Sequence, residues 1–114
     1  MDSKELESKL LNIEYLFKNN EIENDKPIEY YQNQTSRVYK ALFKEPMTML
    51  ECERETNVMR TNICYYIEHL RKINAVFEVG KRRCKITNRI VFIYSTNPIH
   101  KSKSPFEQLE LQFD

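Results

Sequence analysis

Apolar side chains recur at three- and four-residue steps from the start of the chain. Leu6, Leu10, Ile13 and Phe17 form one stripe, which Leu11 and Leu16 widen. This period predicts a helix. Asp2 or Ser3 can cap it, and Glu5 places an acid in its first turn, where the helix dipole favours one. The polar run 19–27 predicts a linker. A second helix is expected over 35–45, capped by Thr35 or Ser36, with Val38, Ala41 and Leu42 inward and Pro46 as its stop. Thr48 and Glu51 have the spacing of a capping box, which predicts a short third helix. Asn57 follows it, a residue that tolerates the left-handed backbone of a tight turn. From about 60 to 73, Ile63, Ile67 and Leu70 repeat on one helical face. Thr61, Tyr65, Glu68 and Lys72 fall opposite, flanked by Asn62 and His69, and Glu68 and Lys72 have ion-pair spacing. The period then changes to two. Ala75, Phe77 and Val79 alternate with their neighbours, and 90–94 is a run of β-branched and aromatic residues, so two strands are expected.

Between those strands lies Gly80-Lys81-Arg82-Arg83-Cys84-Lys85-Ile86-Thr87-Asn88-Arg89, with five basic residues and no acid. It predicts a cationic loop, with Gly80, the chain's only glycine, easing the turn. The net charge of +1 conceals a segregation. Residues 1–34 carry four Lys/Arg against eight Asp/Glu, residues 35–104 fourteen against six, and residues 105–114 none against three. A basic centre between acidic ends points to a polyanion partner.

Helix, short helix, tight turn, helix, hairpin is the order of a winged helix-turn-helix, and 48–98 resembles that family. The likeness is to small winged-helix proteins of bacterial chromosomes and mobile elements. In those, a T-G-I-x-R-x-N-I-C-like stretch opens the recognition helix. Here it stands as Thr56-Asn57-Val58-Met59-Arg60-Thr61-Asn62-Ile63-Cys64. Asn57 replaces the usual turn glycine, and Glu53 stands where a small residue usually lets the two helices cross. Either that crossing is looser or Glu53 reaches a basic partner.

The resemblance implies an α+β fold: a three-helix core with a β-hairpin wing over 35–98, an N-terminal helix and acidic linker over 1–34, and a tail over 99–114. It implies double-stranded DNA as partner. Arg60 and Asn62 would pair with guanine and adenine edges, and Thr61 and Tyr65 would contact phosphate or thymine methyls. The helix's N-terminal amides would attract phosphate. Lys72, Lys81, Arg82, Arg83, Lys85 and Arg89 would neutralise backbone charge. The expected role is a small transcriptional or mobile-element regulator in the cytoplasm. A purely protein-binding winged helix is the other use of such a domain. The first helix either packs on this domain or joins two copies as a homodimer arm.

The tail adds a separate signal. Residues 108–113, "QLELQF", resemble the peptide by which bacterial proteins dock on the DNA polymerase sliding clamp. Gln108, Leu109, Leu111 and Phe113 would then grip that partner, making the chain a replication or repair adaptor. The alternative is that Leu109, Leu111 and Phe113 fold back on the chain's own core.

Other chemistries find little support. One glycine excludes glycine-rich phosphate loops. Cys52, Cys64 and Cys84 are widely spaced, and with His69 and His100 they lack zinc-ligand spacing. Cys52 and Cys64 read as small buried residues and reduced thiols. No cofactor, metal or catalytic constellation is expected, and no membrane span.

Overall fold

A computed structural model describes residues 3–18 and 26–100. It is α+β, with helices preceding one antiparallel hairpin. Asp2, residues 19–25 and the tail from 101 onward lie outside the described residues.

The first apolar stripe forms a helix that breaks. α1 spans Ser3–Leu11, and α2 is a single turn, Tyr15–Lys18. At the break, Ile13 is fully buried and its N–H reaches back only to Leu11. Leu6 and Leu16 pack against the core of the chain. Leu10 and Ile13 join the core, and Gln32 donates to the Leu11 carbonyl.

α3 runs over Ile28–Lys44. It starts seven residues before the expected 35, because Pro27 stands just before the first turn and Tyr31 and Gln34 extend the buried stripe N-terminally. Thr35 is therefore not a cap. It sits mid-helix, and its hydroxyl donates to the Tyr31 carbonyl. The helix ends at Glu45, before Pro46.

α4, Met49–Thr56, opens with the expected capping box. The Thr48 hydroxyl accepts from the Glu51 N–H, and the Glu51 carboxylate accepts from the Thr48 N–H. Asn57 takes the left-handed conformation at φ 60°, and Val58 is buried in the turn behind it. α5, Arg60–Lys72, packs Ile63, Tyr66, Ile67 and Leu70 into the core against α3 and α4.

β1, Phe77–Arg83, pairs antiparallel with β2, Ile90–Ser95. The basic stretch thus starts as strand, over 80–83, and the loop is shorter than 80–89. Cys84 N–H bonds the Arg89 carbonyl at 2.8 Å, leaving 85–88 as the tip, with Asn88 left-handed at φ 63°. Gly80 is not at the turn. It sits in a bulge between Glu78 and Gly80 where the register slips, and its φ of 150° suits glycine. Met47 forms a two-way bridge to Tyr94, which ties the segment before α4 to β2. This order is compatible with a winged helix-turn-helix. No helix among the described residues is long and apolar enough to cross a membrane.

Candidate nucleic-acid interface

Arg60 opens α5, and Arg89 stands where the hairpin loop meets β2. Both are exposed, and both line one cavity of about 400 Å³. Much of the remaining wall is apolar, with Met49 and Leu50 from the start of α4 and Val91, Phe92 and Tyr94 from β2, and Thr48, Cys84 and Thr87 complete it. The start of the proposed recognition helix and one side of the hairpin therefore share a surface.

The exposed side of α5 differs in part from the expected one. Arg60, Thr61, Cys64, Glu68, Arg71 and Lys72 are exposed. Cys64 is not a core residue, because it lies between Arg60 and Glu68 on the helix's outer arc. Asn62 is half-buried, and its amide donates to Gln34 at 3.4 Å. The same Gln34 oxygen accepts from the buried Tyr66 hydroxyl at 2.7 Å. Tyr65 is half-buried and packs on the core edge. The expected Glu68–Lys72 pair does not form: the Lys72 ammonium lies 4.8 Å from the centre of the Tyr15 ring. Lys72 is thus directed at α2. Arg71, which the periodic reading left out, pairs with Glu78 on β1.

His69 is buried rather than flanking the outer face. Its Nδ1 lies 2.6 Å from the Tyr15 hydroxyl, and its Nε2 lies 3.0 and 3.1 Å from the Lys9 and Leu10 carbonyls. Carbonyls only accept, so Nε2 carries the proton and Nδ1 accepts from Tyr15. Burial pushes the His69 pKa down, against the pull of the two carbonyls. The ring latches α1 and α2 to α5.

Glu53 explains how α5 begins without a side-chain cap. Its carboxylate accepts the Arg60 N–H. A negative group therefore already holds one of the amides that phosphate would need, and the N-terminus of α5 is not an open anion site.

Among the hairpin cations, Arg82 departs most from expectation. Its guanidinium makes a bidentate pair with Glu51, Nη2 to Oε1 at 2.6 Å and Nη1 to Oε2 at 2.7 Å. Glu51 also accepts the Lys85 N–H at 2.9 Å and the Thr48 N–H at 3.2 Å. The Arg82 guanidinium, helped by those two amides and opposed by burial, holds the Glu51 carboxyl at about 2. One carboxylate thus caps α4 and clamps the hairpin to it, and the charge of Arg82 is neutralised. Lys85 is exposed and lines a separate cleft with Glu45, Glu51, Arg54 and Glu55. Arg83 donates to the Asn88 carbonyl at 3.0 Å, which braces the loop and keeps its charge. Lys81 lies 4.7 Å from the centre of the Phe92 ring. Beside them Cys84 is buried. Burial raises its pKa, but hydrogen bonding from Thr48 and from the Thr87 and Ile86 amides outweighs this, and the thiol lies below its usual value.

No family model, curated protein or solved structure matches this chain. The geometry alone carries the functional reading. Of the ten DNA-contact positions read from the sequence, Arg60 and Arg89 meet in the groove, with Thr61 exposed on the outer side of α5. Lys81 and Arg83 sit across from Phe92 and Ile90 in the hairpin register. Arg82 and Asn62 have protein partners, Tyr65 packs on the core edge, Lys72 faces Tyr15, and Lys85 lines a separate cleft. The sequence reading found Glu51 as a cap but missed its clamp on Arg82, which lies 31 positions away. The tail residues Gln108, Leu109, Leu111 and Phe113 lie outside the described residues. No group of three or more His, Cys, Asp or Glu side chains among the described residues could hold a metal ion.

Proposed function

We propose that this chain is a winged helix-turn-helix protein that binds double-stranded DNA and acts as a small regulator of transcription or of a mobile element. One observation carries the reading: Arg60 at the start of α5 and Arg89 at the base of the hairpin loop line the same groove. A helix of 13 residues is about 20 Å long and fits a major groove. With α5 seated there, Arg60 reaches base edges from its first turn. Arg89, Arg83 and Lys81 then face the flanking phosphates. Glu68, exposed midway along α5, repels phosphate and favours a place over a cytosine amino group.

Fluorescence anisotropy of a labelled duplex, titrated at several salt concentrations, tests this. The expected affinity falls steeply with salt. Replacing Arg83 and Arg89 with alanine lowers the logarithmic slope by about 1.8, since each lost phosphate contact removes about 0.9. Arg60→Ala weakens preferred sequences more than random ones. Salt-independent or absent binding would overturn the proposal.

A further inference from the structure

The groove is more apolar than a phosphate-facing surface requires, and one of its walls is an unfinished strand. Tyr94 exchanges both backbone hydrogen bonds with Met47, at 2.9 and 3.1 Å. Backbone direction alternates along a strand, so Phe92 and Ile90 turn their N–H and C=O groups to that same side. Val91 and Ile93 turn theirs toward β1, where they are opposite Arg82 and Gly80. Past Met47 the chain leaves the sheet to form α4. Among the described residues, nothing takes the place of a partner strand beside Phe92 and Ile90. The open edge borders the groove, and Ile90 and Phe92 are 62% and 42% exposed.

We propose that the chain's own segment 108–113 adds as a strand along this edge and occupies the groove. Three observations favour this occupant. Leu109, Leu111 and Phe113 alternate with polar residues, so an extended backbone presents all three on one side. That side matches walls made by Met49, Leu50, Val91 and Phe92. Second, residues 105–114 hold Glu107, Glu110 and Asp114 and no base, which complements Arg60 and Arg89. Third, the reach suffices. His100 Nδ1 bonds the Ser95 hydroxyl at 2.8 Å, which returns the chain to the end of β2. From Ser95 to Phe92 is about 10 Å of strand, and eight residues from 101 to 108 can extend about 26 Å. Main-chain pairing with apolar side chains in adjoining pockets is a standard way for a peptide to complete a sheet. Docked there, the segment covers Arg60 and Arg89 and competes with DNA. That consequence rests on the function proposed above; the docking does not.

Amide hydrogen exchange on the full chain separates the two. The comparison is with a full-length variant carrying Leu109→Ala, Leu111→Ala and Phe113→Ala, and the amides of α3 serve as the folding control. The expected result is slow exchange at Ile90 and Phe92 in the wild type, independent of protein concentration, and fast exchange in the variant. If the segment is docked about 90% of the time, the variant also binds duplex about tenfold more tightly. Equal exchange at those two amides in both proteins would overturn the proposal. Protection that grows with protein concentration would also overturn it, in favour of a second copy's segment. Protection lost in the variant, with no DNA binding by either protein, upholds the docking and removes the DNA reading alone.

Discussion

Replacing Glu51 with glutamine tests the account of the hairpin at its mechanical centre. The side chain keeps its shape but loses the charge that Arg82 grips at 2.6 and 2.7 Å. Glu51 is only 10% exposed as a side chain, and Arg82 32%. A carboxyl held at about 2 instead of 4.5 stabilises the fold by about 3 kcal/mol. Arg82 keeps part of its hydration when released, so about 2 kcal/mol is the expected loss. In a domain of this size that lowers Tm by roughly 10 °C. The sign of the pH effect follows from the depressed pKa. The stabilisation is full above about 4.5 and is lost as pH falls toward about 2. Urea titrations of the wild type, Glu51→Gln, Arg82→Ala and the double variant measure both quantities. The two single losses should overlap, with a coupling of about 1.5 kcal/mol, and the low-pH decline should flatten in Glu51→Gln. A second assay separates clamp from DNA contact. If Arg82 serves the clamp, Arg82→Ala leaves the salt slope of DNA binding unchanged. A slope lowered by about 0.9 would assign Arg82 to phosphate. Additive single losses below about 0.5 kcal/mol would refute the clamp.

Four further outcomes follow from particular backbone and side-chain positions. His69, buried and neutral with its pKa below the usual 6.5, contributes stability that is present above that value and is lost as pH falls through its lowered value. Tyr15→Phe removes the hydroxyl on Nδ1 and costs about 1 kcal/mol by urea titration at pH 7; an unchanged midpoint would show the latch to be idle. Gly80→Ala costs about 1 kcal/mol through backbone strain alone, since nothing lies within 4 Å of a methyl there; an unchanged Tm would remove the strain argument. Thr48→Ala breaks the capping box and costs about 1 kcal/mol in the same titration, and no loss would mean that the cap contributes nothing.

The amino-acid order by itself determined the local pieces. Thr48 and Glu51 announced the cap of α4, Asn57 its left-handed exit, and Ile63, Ile67 and Leu70 the inner side of α5, because each depends on neighbours within about a turn. β2 was readable from its β-branched run for the same reason. Only the tertiary structure decided which charges remain available to a ligand. Arg82 and Lys85 look alike beside Arg83 and Arg89, yet Glu51 neutralises the first, while the second lines a separate cleft beside α4. His69 and Lys72 read as outer-face groups until α1 and α2 folded back to meet them. Pairing between residues tens of positions apart leaves no periodic trace. Electrostatics and burial act through space, so the surviving cations, the apolar groove between them and the open edge of β2 emerge only once the chain has closed on itself.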